Sequence, residues 1–193
     1  MRKHFFVIIV ALVLTATVCV AGCTSNNTSP TPSASATRSA TFVPKNISGY
    51  RNYTNSSASI AIQYPPSWQL TEPGGIYANA YFNVSAVNMS FTIAAPENLP
   101  GVTLAGYSQD LISALQQNAT NFTYKLSNTT LAGYPAQKLV FTLVSGGTTR
   151  QGIIELTLVN NTGYALTYVA AQDVYPNYVG IAQNMMQSFN ITG

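Results

Sequence analysis

Three residues in this 193-residue sequence carry the side chains most used for nucleophilic and metal chemistry. They are His4, Cys19 and Cys23, and all lie in the first 23 positions. Beyond Cys23 there is no histidine and no further thiol. No Ser-His-Asp or Cys-His arrangement can be built there, and zinc would lack its nitrogen and sulfur ligands. Neither Gly-x-Ser-x-Gly nor Ser-x-x-Lys occurs, and the glycine-rich run SGGTTR (Ser145 to Arg150) lacks the Lys-Ser/Thr ending of a phosphate loop. Oxygen ligands would suit an ion such as calcium. The five acids, Glu72, Glu97, Asp110, Glu155 and Asp173, are however dispersed along the chain. Each has a structural reading. Asp173 caps a helix, and Asp110 sits on the wet face of another. Glu155 lies mid-strand, facing solvent or paired with a basic neighbour, and Glu72 and Glu97 adjoin proline turns. A hydrolase built on a carboxylate pair would need two of them brought together with one pKa raised. The expectation is a chain that is not an enzyme, with no cofactor and no catalytic or metal residue.

The thiol with a legible chemistry is Cys23. A short basic start (Met1, Arg2, Lys3, His4) leads into an almost wholly apolar run from Phe5 to Val20, the length of a secretory signal core and short for a membrane span. The run closes on Val20-Ala21-Gly22-Cys23, a branched apolar residue and two small ones before a cysteine. This resembles the lipobox of prokaryotic lipoproteins, which implies removal of residues 1–22 and a diacylglyceryl or isoprenoid lipid on Cys23. An uncleaved amino-terminal helix would give the same topology. Cleavage also removes Arg2, Lys3 and His4, leaving six cations against five acids. A net charge of about +1, scattered along the chain, excludes a nucleic-acid surface.

Behind Cys23 the chain turns abruptly to Ser, Thr, Pro and Ala. Such a composition cannot bury enough surface to offset its ordering entropy, so residues 23–45 are expected to be a disordered, lipid-bearing tether, with a composition suited to O-glycosylation. Residues 46–193 make one domain, long enough for a real core.

That domain must stay soluble with few charges, since 7% of the chain is charged where about a quarter is usual. Twelve of the chain's 17 asparagines begin an Asn-x-Ser/Thr sequon, while Ser and Thr fill 39 of 193 positions, so about three or four would be expected by chance. The domain sequons start at Asn46, Asn52, Asn55, Asn83, Asn88, Asn118, Asn121, Asn128, Asn160 and Asn190; Asn26 and Asn27 lie in the tether. We read them as N-glycosylation candidates on the outer surface. A lipobox together with dense sequons points to an archaeal cell-surface lipoprotein.

The elements that position these residues are mostly strands. Ala58 to Pro65 alternates, with Ile60, Ile62 and Tyr64 on one face. Pro65-Pro66 ends it, SWQL starts a short strand, and Pro73-Gly74-Gly75 turns. IYANAYFNVS and NMSFTIAAP form a pair, with Tyr81, Asn83 and Ser85 opposite Phe82 and Val84. Leu104, Tyr107, Leu111 and Leu115 make one stripe of a helix capped by Thr103. NFTYKLSNTTLA, QKLVFTLVS, GIIELTLV and YALTYVAA follow as four strands, with turns at Gly146-Gly147 and at Asn160-Asn161-Thr162-Gly163. Tyr178, Ile181, Met185 and Phe189 mark a last helix, with Asp173 as cap and Pro176 in its first turn. Apolar residues on both sides of Ile153 to Val159 predict a central strand covered on both faces. The fold class is α+β, a mainly antiparallel sheet covered by helices.

SIAIQYPPSWQL, an early strand running into a Tyr-Pro-Pro-x-Trp turn, resembles the opening of PsbP-like domains. TLAGYPAQKLVFTL is similar to their mid-domain turn and central strand, and Ser188-Phe189 to the end of their last helix. The resemblance covers about Ile47 to Thr192 and implies an α/β/α sandwich. The family spans extrinsic photosystem subunits, a nuclear-transport factor and many prokaryotic lipoproteins, so the fold carries no single function. The photosystem subunit's histidine-bearing features have no counterpart after Cys23, so retention of ions for water oxidation does not carry over.

Two functions fit these readings. One is a non-catalytic accessory or interaction module, anchored through the lipid on Cys23 and bound to a protein partner at the outer membrane face. The other is a binder of small ligands or glycans that uses a Tyr-lined cleft, with exposed rings stacking on sugar. Trp68, just after a proline turn, is expected to plug the core.

Overall fold

The structure, a computed structural model, describes residues 37–39, 42–72 and 78–192. Eleven strands and two helices are present among them. The main sheet runs β3 (Gln69–Thr71), β4 (Ala78–Asn83), β5 (Met89–Ala94), β10 (Thr162–Ala171), β9 (Thr148–Val159), β8 (Tyr134–Ser145) and β7 (Thr120–Leu131), with the short β6 (Glu97–Asn98) also paired to β10. Every pairing is antiparallel. Strands β7 to β10 form a meander joined by two-residue turns at Ala132-Gly133, Gly146-Gly147 and Asn160-Asn161. All six turn residues have positive φ, the mirror-image turn whose twist matches the flanking strands. The last turn is therefore shorter than the four-residue loop expected from composition. Thr162 and Gly163 already belong to β10, paired with Val159 and Leu158.

Alternation along β9 sends its side chains into two separate cores. Ile154, Leu156 and Leu158 face helix α1 (Leu104–Asn118), which contributes Tyr107, Leu111, Ile112 and Leu115. Burying each of these is worth about 2 kcal/mol. Ile153 and Val159 face the other way, toward helix α2 (Tyr175–Ser188) and Met185, Met186 and Phe189. The central strand is thus covered on both faces, as the sequence predicts. Thr103 caps α1, its Oγ1 accepting from the Gly106 N–H at 3.1 Å. Asp173 does not cap α2. Val174 holds the N-cap position with helical backbone angles and no side-chain cap bond. The chain is already turning there, with Val174 N–H donating to the Ala171 carbonyl, and Asp173 is left exposed. Pro176 sits in the first turn.

The sequence predicts a single sheet. Instead β1 (Arg51–Asn55), β2 (Ile60–Tyr64) and β11 (Asn190–Ile191) form a second sheet in the order β1-β2-β11. It packs beside α2, with Tyr53, Ile60, Ile62 and Tyr64 in the same core as Phe82 and Met185. Buried Ser188 fastens the two together: its Oγ accepts from Gln63 N–H at 2.9 Å and donates to the Met185 carbonyl at 2.7 Å. Trp68 is 3% exposed, a core plug against the Tyr178 ring. The turn expected at Pro73-Gly74-Gly75 lies outside the described residues.

Candidate functional site

Residues 37–45, which composition assigned to the tether, include a segment laid against the domain. Ser39 N–H donates to the Gly133 carbonyl at 2.7 Å, and Arg38 Nε to the Ala132 carbonyl at 2.9 Å. A second guanidinium nitrogen of Arg38 donates to Asn190 Oδ1. The same guanidinium stacks over the Phe42 ring at 4.7 Å and reaches the Tyr134 ring at 5.9 Å. Further on, Lys45 N–H donates to the Gln187 carbonyl, and its Nζ to Asn184 Oδ1 at 2.7 Å and Gln187 Oε1 at 3.0 Å. The strap so formed links the β7–β8 turn, β11 and the end of α2. Cys23, Asn26 and Asn27 lie outside the described residues.

The ten domain sequons all have their asparagines outside the core. Asn46, Asn52, Asn88, Asn118, Asn121, Asn128 and Asn160 are exposed, and Asn55, Asn83 and Asn190 half-buried. Several amides are oriented by the protein. Gln63 Nε2 donates to both Asn46 Oδ1 (3.1 Å) and Asn52 Oδ1 (3.0 Å), and Ala58 N–H donates to Asn55 Oδ1 at 3.0 Å. Where the oxygen accepts in this way, the nitrogen, the atom a sugar joins, is on the other arm of the amide. In two of the amides the nitrogen is itself engaged: Asn118 Nδ2 donates to the Ala114 carbonyl at 2.8 Å within the helix, and Asn55 Nδ2 to the Tyr53 hydroxyl at 3.4 Å.

The acids are not gathered. Among the described residues no three of Asp, Glu, His and Cys come close enough to share a metal ion. Asp110 is exposed on α1, as expected from its place on the helix. Glu155 is 8% exposed and lies 3.3 Å from Lys138 Nζ on the neighbouring strand. It pairs with a basic neighbour and does not face solvent. Burial pushes its carboxyl above the usual range, and the Lys138 charge partly pulls it back. Tyr107, fully buried on the inner face of α1, is held protonated by burial and by the charge of Glu97 nearby. A shallow cleft of about 370 Å³ opens beside the β1–β2 turn, lined by Asn55, Ser57, Ser59, Pro96, Thr162 and Tyr164. Tyr164 is the one aromatic in it, and it is 9% exposed. The tyrosine-rich cleft considered from the sequence is not what these residues build.

No protein-family model matches the sequence, and no curated protein does either. Solved structures do. Cyanobacterial PsbP from Synechocystis superposes with a TM-score of 0.57 at 12% identity, over 76% of this chain and 94% of that one. The fold is PsbP-like. LpqN of Mycobacterium tuberculosis, a protein involved in cell envelope biogenesis, matches at a TM-score of 0.54 and 14% identity, over 69% of this chain and 83% of its own. At these identities the likeness is one of fold. It agrees with the α/β/α sandwich that the two turn motifs imply.

One feature of the sequence marks the strap. Between Thr24 and Pro44, Arg38 is the single charge and Phe42-Val43 the one bulky apolar pair among small and polar residues.

Proposed function

We propose that this chain is a surface lipoprotein of archaeal type. It is held at the extracellular face of the cytoplasmic membrane through a lipid on Cys23, and it serves a protein partner as a non-catalytic accessory module. The observation that carries this reading is the placing of the sequons: the asparagines of all ten described sequons lie outside the core in a chain where 7% of residues are charged. A sugar coat supplies the polar surface that the side chains do not. Support for an accessory role comes from the fold, shared with LpqN, which is involved in cell envelope biogenesis. The open, weakly aromatic cleft favours a protein contact over an enclosed small ligand.

Two measurements on native protein test the reading. The intact mass of the mature amino-terminal peptide should show a lipid on Cys23, and an unmodified Cys23 overturns the anchoring. Crosslinking in intact membranes followed by detergent extraction should return one partner in fixed proportion. A chain that crosslinks to nothing under conditions that capture known membrane complexes overturns the partner role.

A further inference from the structure

Among the described residues the two sheets end in four strands, with the two-residue β6 on the flank of β10, and these four differ sharply in how they are finished. In the main sheet β3 is three residues long, and β7, at the other end, is twelve. In the small sheet the ends are β1 and β11. A free edge offers unpaired N–H and C=O groups to any other strand, and a long flat one invites self-association. β7 spans about 40 Å at 3.3 Å per residue, and nearly all of it is exposed. One face of it carries a row of apolar side chains. Phe122 stacks on Tyr124, with ring centroids 5.4 Å apart; Tyr124 is 44% exposed and Leu126 37%.

The sequons follow these edges. Six sequon asparagines lie within strands: Asn52 and Asn55 in β1, Asn83 in β4, Asn121 and Asn128 in β7, and Asn190 in β11. Five of the six are therefore on strands that end a sheet. The sixth, Asn83, is the last residue of β4. Of the six strands with partners on both sides, β4 carries this one and β2, β5, β8, β9 and β10 carry none. The two on β7 bracket the apolar row, about 23 Å apart along the strand. Near Asn121 the ladder is broken by a register shift between Thr120 and Thr123, and Asn121 takes a left-handed backbone (φ 51°). Lys125 stands between the two sequons. Bulges and lysines are the usual edge guards, and both are spent on this strand.

We propose that the N-linked glycans of this protein close its free sheet edges, and that sugars on Asn121 and Asn128 cover the Phe122–Tyr124–Leu126 row of β7. The inference rests on the sugar-coat reading and gives it a specific task. The donor is an oligosaccharide on a lipid phosphate. The asparagine Nδ2 attacks the sugar's C1, an N–C1 bond forms, the C1–O bond to phosphate breaks, the amide loses one proton, and the lipid phosphate leaves with the bonding pair. The occupant of the apolar row is thus the chain's own sugar, and a second copy pairing along β7 is what the sugar prevents.

The test starts with glycopeptide mass spectrometry on native, full-length protein. Thr123→Val with Thr130→Val then removes both β7 sequons while keeping the asparagines and the branched side-chain shape. Ser48→Ala with Asn88→Gln removes two sequons that are not on edge strands, as a control. The β7 variant should shift from monomer to dimer or larger species by crosslinking and light scattering in detergent, with slowed hydrogen exchange along β7. The control should stay monomeric. Adding Leu126→Lys to the β7 variant should restore the monomer. A β7 variant as monomeric as the control overturns the inference, and so does equal association of the two. Empty Asn121 and Asn128 beside occupied sequons elsewhere overturn it alone; sequons empty throughout overturn the sugar-coat reading as well.

Discussion

Arg38 Nε donates to the carbonyl oxygen of Ala132 at 2.9 Å, across 94 residues of sequence. The bond satisfies a carbonyl in the tight β7–β8 turn, where Ala132 holds a left-handed backbone (φ 51°). Arg38 also donates to Asn190 and stacks over Phe42. Arg38→Ala should cost about 1–2 kcal/mol, the sum of charged hydrogen bonds and a cation–π contact at a half-exposed site. Denaturant unfolding measures the loss, and hydrogen exchange should rise first in residues 38–45. Unchanged exchange there would mean the strap is held by something else.

Gly133 is the other half of that turn. A Cβ built on it would stand 2.4 Å from the Phe42 Cβ, and its φ of +81° is one that L side chains avoid. Gly133→Ala should therefore destabilise the domain and release the strap together. Combined with Arg38→Ala, the loss should be smaller than the two singles added, because both remove the same contact. Strict additivity would show that turn and strap are independent.

A different glycine governs the α1 face. Gly152 faces Phe141 on β8, and a Cβ there would stand 2.3 Å from the Phe141 ring and 2.8 Å from the Tyr168 carbonyl oxygen. Gly152→Ala should cost about 1–3 kcal/mol by overpacking. Phe141→Leu in the same chain should recover part of that loss, read as the denaturation midpoint.

The Glu155–Lys138 pair sets a pH dependence. The folded carboxyl has a pKa above its ordinary 4.5, chiefly through burial. The folded protein then holds that proton more firmly than the unfolded chain, so this group favours folding at pH below 4.5. The advantage is lost as pH rises through the raised value. Lys138→Met removes the compensating charge and should cost about 3 kcal/mol at pH 7, with the penalty fading as pH falls through the raised value and gone below pH 4.5, where Glu155 is already protonated. An equal penalty at both pH values would show that Lys138 matters for packing and not for charge.

Cys23→Ala should abolish lipid attachment. The product is then either the uncleaved precursor or a chain released from the membrane, separated by fractionation and mass. A Cys23→Ala chain of mature mass that still sediments with membranes would refute the anchor.

Most of the architecture was legible because it rests on local signals. The period-3.6 stripe from Leu104 to Leu115, the Thr103 cap and the alternation of Ile60, Ile62 and Tyr64 each declare an element within a dozen residues. What was missed depends on distant partners. β1 becomes a strand only because β2 pairs with it, and β2 leaves the main sheet because β11, about 130 residues later, supplies its other neighbour. The edge position of β7 was equally hidden, since alternation marks a strand and not its neighbours. The sequons could be counted from the sequence, but their gathering on sheet edges needed the strand order.

If Cys23 carries the lipid, the strap limits how far the domain can stand from it. Were the chain free as far as residue 45, the domain would hang from Cys23 by some 23 peptide units, a reach of about 80 Å when fully stretched. With Arg38 docked on the domain, 15 units separate it from Cys23, which sets an upper bound of about 50 Å. The leash also joins the domain at a fixed point, the end of the sheet that bears the β7–β8 and β9–β10 turns. An anchored molecule would present that end to the lipid and the opposite end, with the Gly146-Gly147 turn, to whatever lies farther out. A partner embedded in the same membrane would meet the domain within a shell one protein diameter deep.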